Sequence, residues 1–192
     1  MLSPDQLAIR LARAAAEGDR AAIPAEAPTA AVAAILHWRP TPHVLLMQRS
    51  AHPGDPWSGQ VSMPGGRTED HDASLLHTAR RETREELGID LSGARLLGGL
   101  APTQAMARGK RLSMFIQPFV FEASHAPEPR LNREAEATFW LPLAEAAAGE
   151  LDHRHHYQDD ERTLLLPAWR LDERVVWGLT YRMLDGLLRL AL

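Results

Sequence analysis

Three carboxylates stand close together at Glu82, Glu85 and Glu86, in the run Arg81-Glu82-Thr83-Arg84-Glu85-Glu86-Leu87-Gly88. On an α-helix of about 3.6 residues per turn they share an arc of roughly 100°. Acids crowded in this way repel one another, and at least one pKa is driven up unless a cation neutralises them. A hard ion such as Mg²⁺ takes oxygen ligands and usually binds through a few carboxylates together with substrate phosphates and water. The pattern therefore points to metal-assisted chemistry on a phosphorylated substrate. Arg81 and Arg84 are placed to orient the acids by ion pairing, and the plainer alternative is a solvated helical face laced with charge pairs. Leu76, Ala79, Thr83 and Leu87 form a separate apolar stripe, which lets the same helix pack while its acids face a cleft. Upstream, Pro64-Gly65-Gly66 reads as a turn that brings the backbone close to a ligand, where a side chain would obstruct.

The elements that must hold these groups follow from periodicity and breakers. Ser3, Pro4 and Asp5 open a first helix that runs to Gly18, and Asp19 to Pro28 reads as a connector. Thr29 to Trp38 and His43 to Arg49 read as a strand hairpin with buried faces. The stretch AHPGDPWSGQ, from Ala51 to Gln60, is a Pro- and Gly-rich loop of the kind that often carries function. Asp72 to Leu87 is a helix closed by Gly88. Arg95 to Thr103, Leu112 to Glu122 and Ala137 to Leu141 are expected strands, Pro142 to Gly149 a helix, and Val175 to Leu192 a closing amphipathic helix. Strands on both sides of a helix imply an α/β or α+β architecture with a mixed sheet. Residues 1–28 are read as an N-terminal helix and connector, and 29–192 as one domain including the C-terminal helix.

The chain has 192 residues, a length suited to one core. With 45% hydrophobic and 24% charged residues and a mean hydropathy of -0.27, it sits in the ordinary globular range. A net charge of -4 and a pI near 6.1 offer no basic field for a nucleic-acid polymer. The absence of cysteine removes disulfides, thiolate metal sites and thiol nucleophiles together, which fits a reducing compartment. Met1 to Ala22 has no cationic start followed by an apolar core, and no run approaches the length of a membrane span. The expectation is a cytoplasmic protein, monomer or homodimer, acting on a small molecule away from membranes.

Gly66, Asp72 and the run from Arg81 to Ile89 resemble the Nudix box, G-x5-E-x7-R-E-U-x-E-E-x-G-U with U a bulky aliphatic. The chain departs from it in three places: Asp72 stands for the first Glu, eight residues rather than seven separate it from Arg81, and Thr83 stands for the first aliphatic. Leu45-Leu46-Met47-Gln48-Arg49-Ser50 and Gly59-Gln60-Val61-Ser62-Met63-Pro64-Gly65-Gly66 resemble the L-L-T-x-R-S and G-Q-x-S-F-P-G-G signature of the coenzyme A pyrophosphatase branch. Val176-Trp177-Gly178-Leu179-Thr180 is similar to the W-G-x-T segment of that branch. The branch places an Arg four residues before the Gly of G-Q, where this chain has Asp55, and an acid cannot bind phosphate there.

The resemblance implies an α/β/α sandwich and a metal-dependent attack of water on a pyrophosphate. It implies Mg²⁺ or Mn²⁺ on Glu82, Glu86, Glu85 and the Gly66 carbonyl, and Glu85 or Glu134 as the catalytic base. Arg49, Gly59, Gln60, Gly65 and Arg81 are the implied substrate-binding residues. The favoured substrate is coenzyme A or an acyl derivative, cleaved to 3′,5′-ADP and a phosphopantetheine. Asp55 keeps nucleoside di- and triphosphates, including oxidised nucleotides, as the alternative, and a binding module without turnover is a third. Glu134, in Asn132-Arg133-Glu134, lines up with the Glu of an N-x-E-V segment of related proteins and is otherwise a solvated loop acid. His153, His155 and His156 are read as part of a polar loop, Leu151 to Arg162, rather than as a metal cluster. Arg108, Lys110 and Arg111 form a basic loop that either meets phosphate or keeps a hairpin soluble. Trp177, Leu179, Met183, Leu184, Leu187 and Leu188 are read as the core-facing side of the last helix.

Overall fold

Alternation along two apolar strands decides the layering. In β1 (Thr29–Trp38) Ala34 and Leu36 face one way and Ala33 and Ile35 the other; in β2 (Pro42–Arg49) Val44 and Leu46 oppose Leu45 and Met47. All eight are buried, so both faces of the sheet they form must be covered. The two strands make the expected hairpin, with Leu36 opposite Val44. Around them, β3 (Val61–Ser62) and β8 (Ala135–Pro142) pair with β2, and β4 (Gly65–Arg67) pairs with β1. On the other side of β1 runs β7 (Lys110–Glu122), parallel to it with Thr29 opposite Phe115, and β5 (Arg95–Gly99) and β6 (Thr103–Ala107) pair antiparallel with β7. The result is an eight-stranded mixed sheet. The coordinates are a computed structural model that describes residues 1–17, 23–107, 109–158 and 163–192.

Helices cover both faces. Leu87 of α2 (Leu75–Leu87), with Ile89 and Leu91 beyond it, belongs to the cluster of Ile35, Leu45, Met47 and Phe121. Leu7 and Leu11 of α1 (Pro4–Ala16) and Leu184, Leu187 and Leu188 of α4 (Gly178–Ala191) belong to the cluster of Ala34, Leu36, Val44 and Leu46. Leu2 N–H donates to the Ala191 carbonyl at 3.1 Å, which ties the two ends of the chain. This is the expected α/β/α sandwich. No helix among the described residues is long and apolar enough to cross a membrane.

Several boundaries move, each for a local reason. Helix α1 starts where read, with Ser3 Oγ accepting from Gln6 N–H at 3.3 Å and the Gln6 side chain accepting from Ser3 N–H at 2.9 Å. It ends at Ala16, and Gly18 and the first residues of the connector, 19–22, lie outside the described residues. Helix α2 starts at Leu75 rather than Asp72, because Ser74 caps it by accepting from His77 N–H, and Gly88 closes it at φ +66° as expected. Gly65 and Gly66 lie in a strand rather than a turn. The strand expected from Arg95 to Thr103 is broken into β5 and β6 at Leu100-Ala101-Pro102, where proline has no N–H for a ladder. Lys110 and Arg111 lie in β7, and Arg108 is outside the described residues. The short helix α3 is Leu143–Ala148, stopped by Gly149 at φ +80°.

The largest correction concerns residues 151–177. The expected polar loop holds β9 (Asp152–Gln158), which pairs antiparallel with an unanticipated β10 (Thr163–Leu171), and β10 pairs with β11 (Arg174–Trp177). The closing helix therefore begins at Gly178 rather than Val175. The β-branched Val175 and Val176 belong to the strand, and Gly178 at φ +63° takes the change of direction. Residues 159–162, the rest of that expected loop, are outside the described residues.

Candidate active site

The helix that carries the acids is anchored by an ion network at its inner face. Arg81, with a side chain only 5% exposed, donates from Nε and Nη2 to the two Asp72 oxygens at 3.0 and 2.9 Å. Its Nη2 also donates to the Arg67 carbonyl, and its Nη1 to Glu82 at 2.9 Å and Glu85 at 3.1 Å. Asp72 is fully shielded and also accepts from Glu69 N–H and the Thr78 hydroxyl. The guanidinium holds the Asp72 carboxyl far below the usual carboxylate range, and Asp72 in turn raises Arg81. Asp72 thus serves the box from just before the helix, which is how the shorter acid and the extra residue are accommodated. Arg81, expected at the substrate, lies beneath the acids with its donors engaged by protein. Arg84 takes no part in this network, since it is exposed and its charge acts on Asp90. Thr83, at the aliphatic position, is buried with its hydroxyl donating to the Ala79 carbonyl at 2.7 Å, so no polar atom is left unpaired.

Above this network Glu82 and Glu86 line a cleft of about 490 Å³, together with Arg49, Gln60, Gly65, Gly66 and Glu134. Glu86 is 2% exposed and accepts from Gly65 N–H at 2.8 Å. Burial pushes its pKa up to about 8, against the Gly65 N–H, with the Glu82 and Glu134 charges adding to the rise. Glu82 is raised by burial as well, opposed by Arg81. The glycines let backbone and acids meet. A Cβ on Gly66 would lie 2.5 Å from Glu82 Cδ, and one on Gly65, at φ +148°, would lie 2.2 Å from the Ala31 carbonyl oxygen.

The three box acids do not gather as a single cluster. Glu85 is half exposed and paired with Arg81, away from the cleft wall, and among the described residues no group of three His, Asp or Glu side chains is close enough to hold a metal. What the cleft offers is a pair of carboxylate oxygen donors, Glu82 and Glu86, beside Gly65 and Gly66, where no side chain stands between backbone and acids. It also holds a buried carboxylate whose ionised form lacks a full counter-charge. That chemistry fits Mg²⁺ or Mn²⁺.

Glu134 faces the same cleft from the segment before β8. Its N–H donates to Asn132 Oδ1 at 2.7 Å, Asn132 N–H donates to the Glu86 carbonyl, and Ser50 N–H donates to the Glu134 carbonyl, so this acid is fixed to both α2 and the end of β2. Arg49 Nη2 pairs with Asp55 at 2.6 Å, and Asp55 also accepts from Trp57 N–H at 3.0 Å. Burial raises the Asp55 pKa, but Arg49 and the Trp57 N–H outweigh it and the net shift is downward. Arg49 Nε and Ser62 Oγ are buried in the cleft without a protein partner, the condition in which a polar ligand is accommodated.

Gly59 lies off the cleft wall: its carbonyl accepts from the Gln48 side chain, and its φ of +69° serves the loop. Ser62 and Trp57 were not singled out by sequence reasoning; a lone aromatic in a Pro- and Gly-rich loop was the available signal for the second. The Thr180 hydroxyl, in the late segment noted above, donates to the Val61 carbonyl at 3.0 Å inside the protein and joins that segment to the one ending in Gly65-Gly66.

Comparison with known proteins adds to this geometry. The NUDIX domain family model matches residues 27–161. An uncharacterized protein of Schizosaccharomyces pombe is 38% identical over 59% of this chain, and the match spans only 36% of that longer protein. The uncharacterized Nudix hydrolase NudL of Escherichia coli O1:K1 is 32% identical over 74% of this chain and 71% of its own length. Among solved structures, a MutT/nudix family protein from Enterococcus faecalis covers 92% of this chain and 66% of its own at TM-score 0.57 and 16% identity. A C. elegans Ap4A hydrolase covers 63% and 84% at TM-score 0.52 and 20% identity. At these identities the two structures speak for the fold.

Proposed function

The chain belongs to the Nudix family, and from that premise we propose that it is a metal-dependent hydrolase that splits the pyrophosphate of coenzyme A or an acyl derivative, giving 3′,5′-ADP and a phosphopantetheine. The observation that carries the hydrolytic reading is the placement of Glu82 and Glu86 on one cleft wall beside Gly66, with Glu134 on the same cleft. Glu82, Glu86 and the Gly66 carbonyl would hold Mg²⁺ or Mn²⁺, with Glu85 next in line beside Arg81. A bound ion there supplies neutralisation of pyrophosphate oxygens and a lower pKa for water.

The protein's own groups do the rest. Arg81 and Asp72 fix the register of α2, so that Glu82 and Glu86 are aimed before substrate arrives. Glu134 lines the cleft whereas Glu85 does not, which favours Glu134 as the base that takes the proton of the attacking water. Gly65 and Gly66 keep the wall free of side chains, and Arg49, Gln60 and Ser62 offer polar contacts for the pyrophosphate or its appendages.

The coenzyme A assignment rests on the two signature segments and on the buried Thr180–Val61 contact that brings the late segment to them. One observation keeps a nucleoside di- or triphosphate as the alternative: Asp55 stands where the coenzyme A branch has an Arg, and it pairs with Arg49. Purified protein with Mg²⁺ or Mn²⁺ is assayed in parallel on coenzyme A, 8-oxo-dGTP, ADP-ribose and dinucleoside polyphosphates, with products resolved by chromatography. Formation of 3′,5′-ADP well ahead of any other product is the expected result. Preferential nucleotide cleavage discards the substrate and keeps the chemistry, and no phosphate-containing product from any of them overturns both.

A further inference from the structure

Asp55 is an acid on the wall of a cleft that receives phosphate, and it touches the cation there. Its two oxygens have different partners. One accepts from Arg49 Nη2 at 2.6 Å, and the other accepts from the Trp57 N–H at 3.0 Å. Both side chains of the ion pair are mostly withdrawn from solvent, and both line the cleft with Glu82 and Glu86. Asp55 takes Nη2 and leaves Nε, which is buried with no protein partner, as is Ser62 Oγ on the adjoining β3. The loop of residues 51–60 has other anchors besides this pair. Arg49 N–H donates to the Gln60 carbonyl at 3.0 Å, His52 N–H to Ser58 Oγ at 2.8 Å, and Trp57 Nε1 to the Met106 carbonyl at 3.1 Å. Trp57 lines both the cleft and a second, apolar cavity of about 290 Å³, walled from β9, β10, β11 and α4 by Tyr157, Leu164, Leu166, Trp177 and Leu179.

An ion pair beside an anion site acts in two opposed ways. It offsets part of the cation's charge, and it fixes a long side chain that would otherwise lose rotamer freedom when a ligand binds. A guanidinium has five N–H donors, so pairing at one nitrogen does not silence the others. The Arg49 charge still favours the ionised form of Glu86 across the cleft, so the pair with Asp55 does not cancel its field. Arg49 Nε and the Ser62 hydroxyl are donors kept from water without an acceptor, a cost that an anionic oxygen in the cleft would return. Fixing therefore outweighs offset. We propose that Asp55 is a positioning residue, which holds Arg49 by Nη2 so that Arg49 Nε and the Ser62 hydroxyl are presented as donors to the pyrophosphate. The proposal rests on the hydrolytic reading of the cleft, adds to it a role for an acid that cannot itself meet phosphate, and is independent of what the pyrophosphate carries.

The test is a double-mutant cycle on the full chain with Asp55→Asn, Arg49→Ala and the two combined. Asn keeps an oxygen for the Trp57 N–H and removes the carboxylate that Arg49 pairs with. Turnover of coenzyme A and of ADP-ribose is measured with Mg²⁺. Binding of methylenediphosphonate, a pyrophosphate analogue that water does not cleave, is measured with Mg²⁺ by calorimetry. In Asp55→Asn, KM and the Kd of methylenediphosphonate are expected to rise about three- to tenfold, the cost of immobilising one long side chain. The kcat should stay within about twofold and the melting temperature should not move. In the Arg49→Ala background the same change should add nothing, because its effect passes through Arg49. Tighter binding in Asp55→Asn overturns the proposal and makes the pair a brake on the cation. Unchanged KM and Kd, or an equal loss in both backgrounds, overturns it as well, the second because Asp55 would then only shape the loop. No turnover of either substrate, with the methylenediphosphonate cycle as expected, overturns the hydrolytic reading and keeps the positioning role.

Discussion

Helix α2 and the group formed by β9, β10, β11 and α4 build the two spaces that meet at Trp57, and they do so on opposite physical terms. On the α2 side, Arg81, Asp72, Glu82 and Glu86 are ionisable and largely shielded, and each has a partner within hydrogen-bonding distance. On the other side, Leu164, Leu166, Trp177 and Leu179 meet by shape alone, with their polar neighbours turned inward. A charged wall fixes positions and tolerates no loss of a partner. An apolar wall sets size and character, and it gives way gradually when one side chain changes.

The comparison is broken most severely at the acids. Glu86→Gln is expected to lower metal-dependent turnover by more than about 100-fold, beyond the usual cost of losing a group that merely orients a ligand. The same variant should melt no lower than the unaltered protein in the absence of metal, since it removes a buried carboxylate that burial disfavours in its ionised form. Full metal-dependent turnover in both Glu82→Gln and Glu86→Gln would remove these residues from the site. Next in size, Asp72→Ala leaves the Arg81 guanidinium buried without its main partner, and urea denaturation should show a loss of about 3–5 kcal/mol. A loss under 1 kcal/mol would mean that the network is not what fixes α2. The smallest effect is expected where the two sides are joined. Thr180→Val strands the Val61 carbonyl and should cost about 1–3 kcal/mol by the same measurement, and no change would show that the contact does not couple them.

The same contrast explains what the sequence reveals. Residues 81–89 are readable because helical spacing is local: Glu82 and Glu86 fall on one face whatever the rest of the chain does, and Gly88 marks the end. The hairpin of β1 and β2 is readable from two apolar runs and a short turn. Strand β9 is not, because the positions it turns inward are His153, His155 and Tyr157, which leave no apolar alternation to detect, and its partner β10 contains Pro167. The basic reading of the cleft is also corrected by contacts that no spacing rule gives. Arg81 is engaged from below by Asp72, nine residues earlier, and Asp55, which reads as the loss of a phosphate contact, ties Arg49 to the Trp57 backbone through an irregular loop.

The parallel pairing of β1 with β7 has a consequence for how the protein assembles. Thr29 meets Phe115 and Leu36 meets Glu122, so most of what furnishes the acid-lined cleft, from Arg49 through Glu86, lies in the chain between two strands that must find each other across it, while Glu134 and the α4 residues follow them. Closing such a loop costs entropy before the pairing returns any stability, and non-local pairings of this kind slow folding. Hairpins such as β1–β2 and β9–β10 can form early from neighbouring residues. The cleft acquires its shape only when the centre of the sheet closes, so in refolding from denaturant its ligand affinity should return with the slow phase.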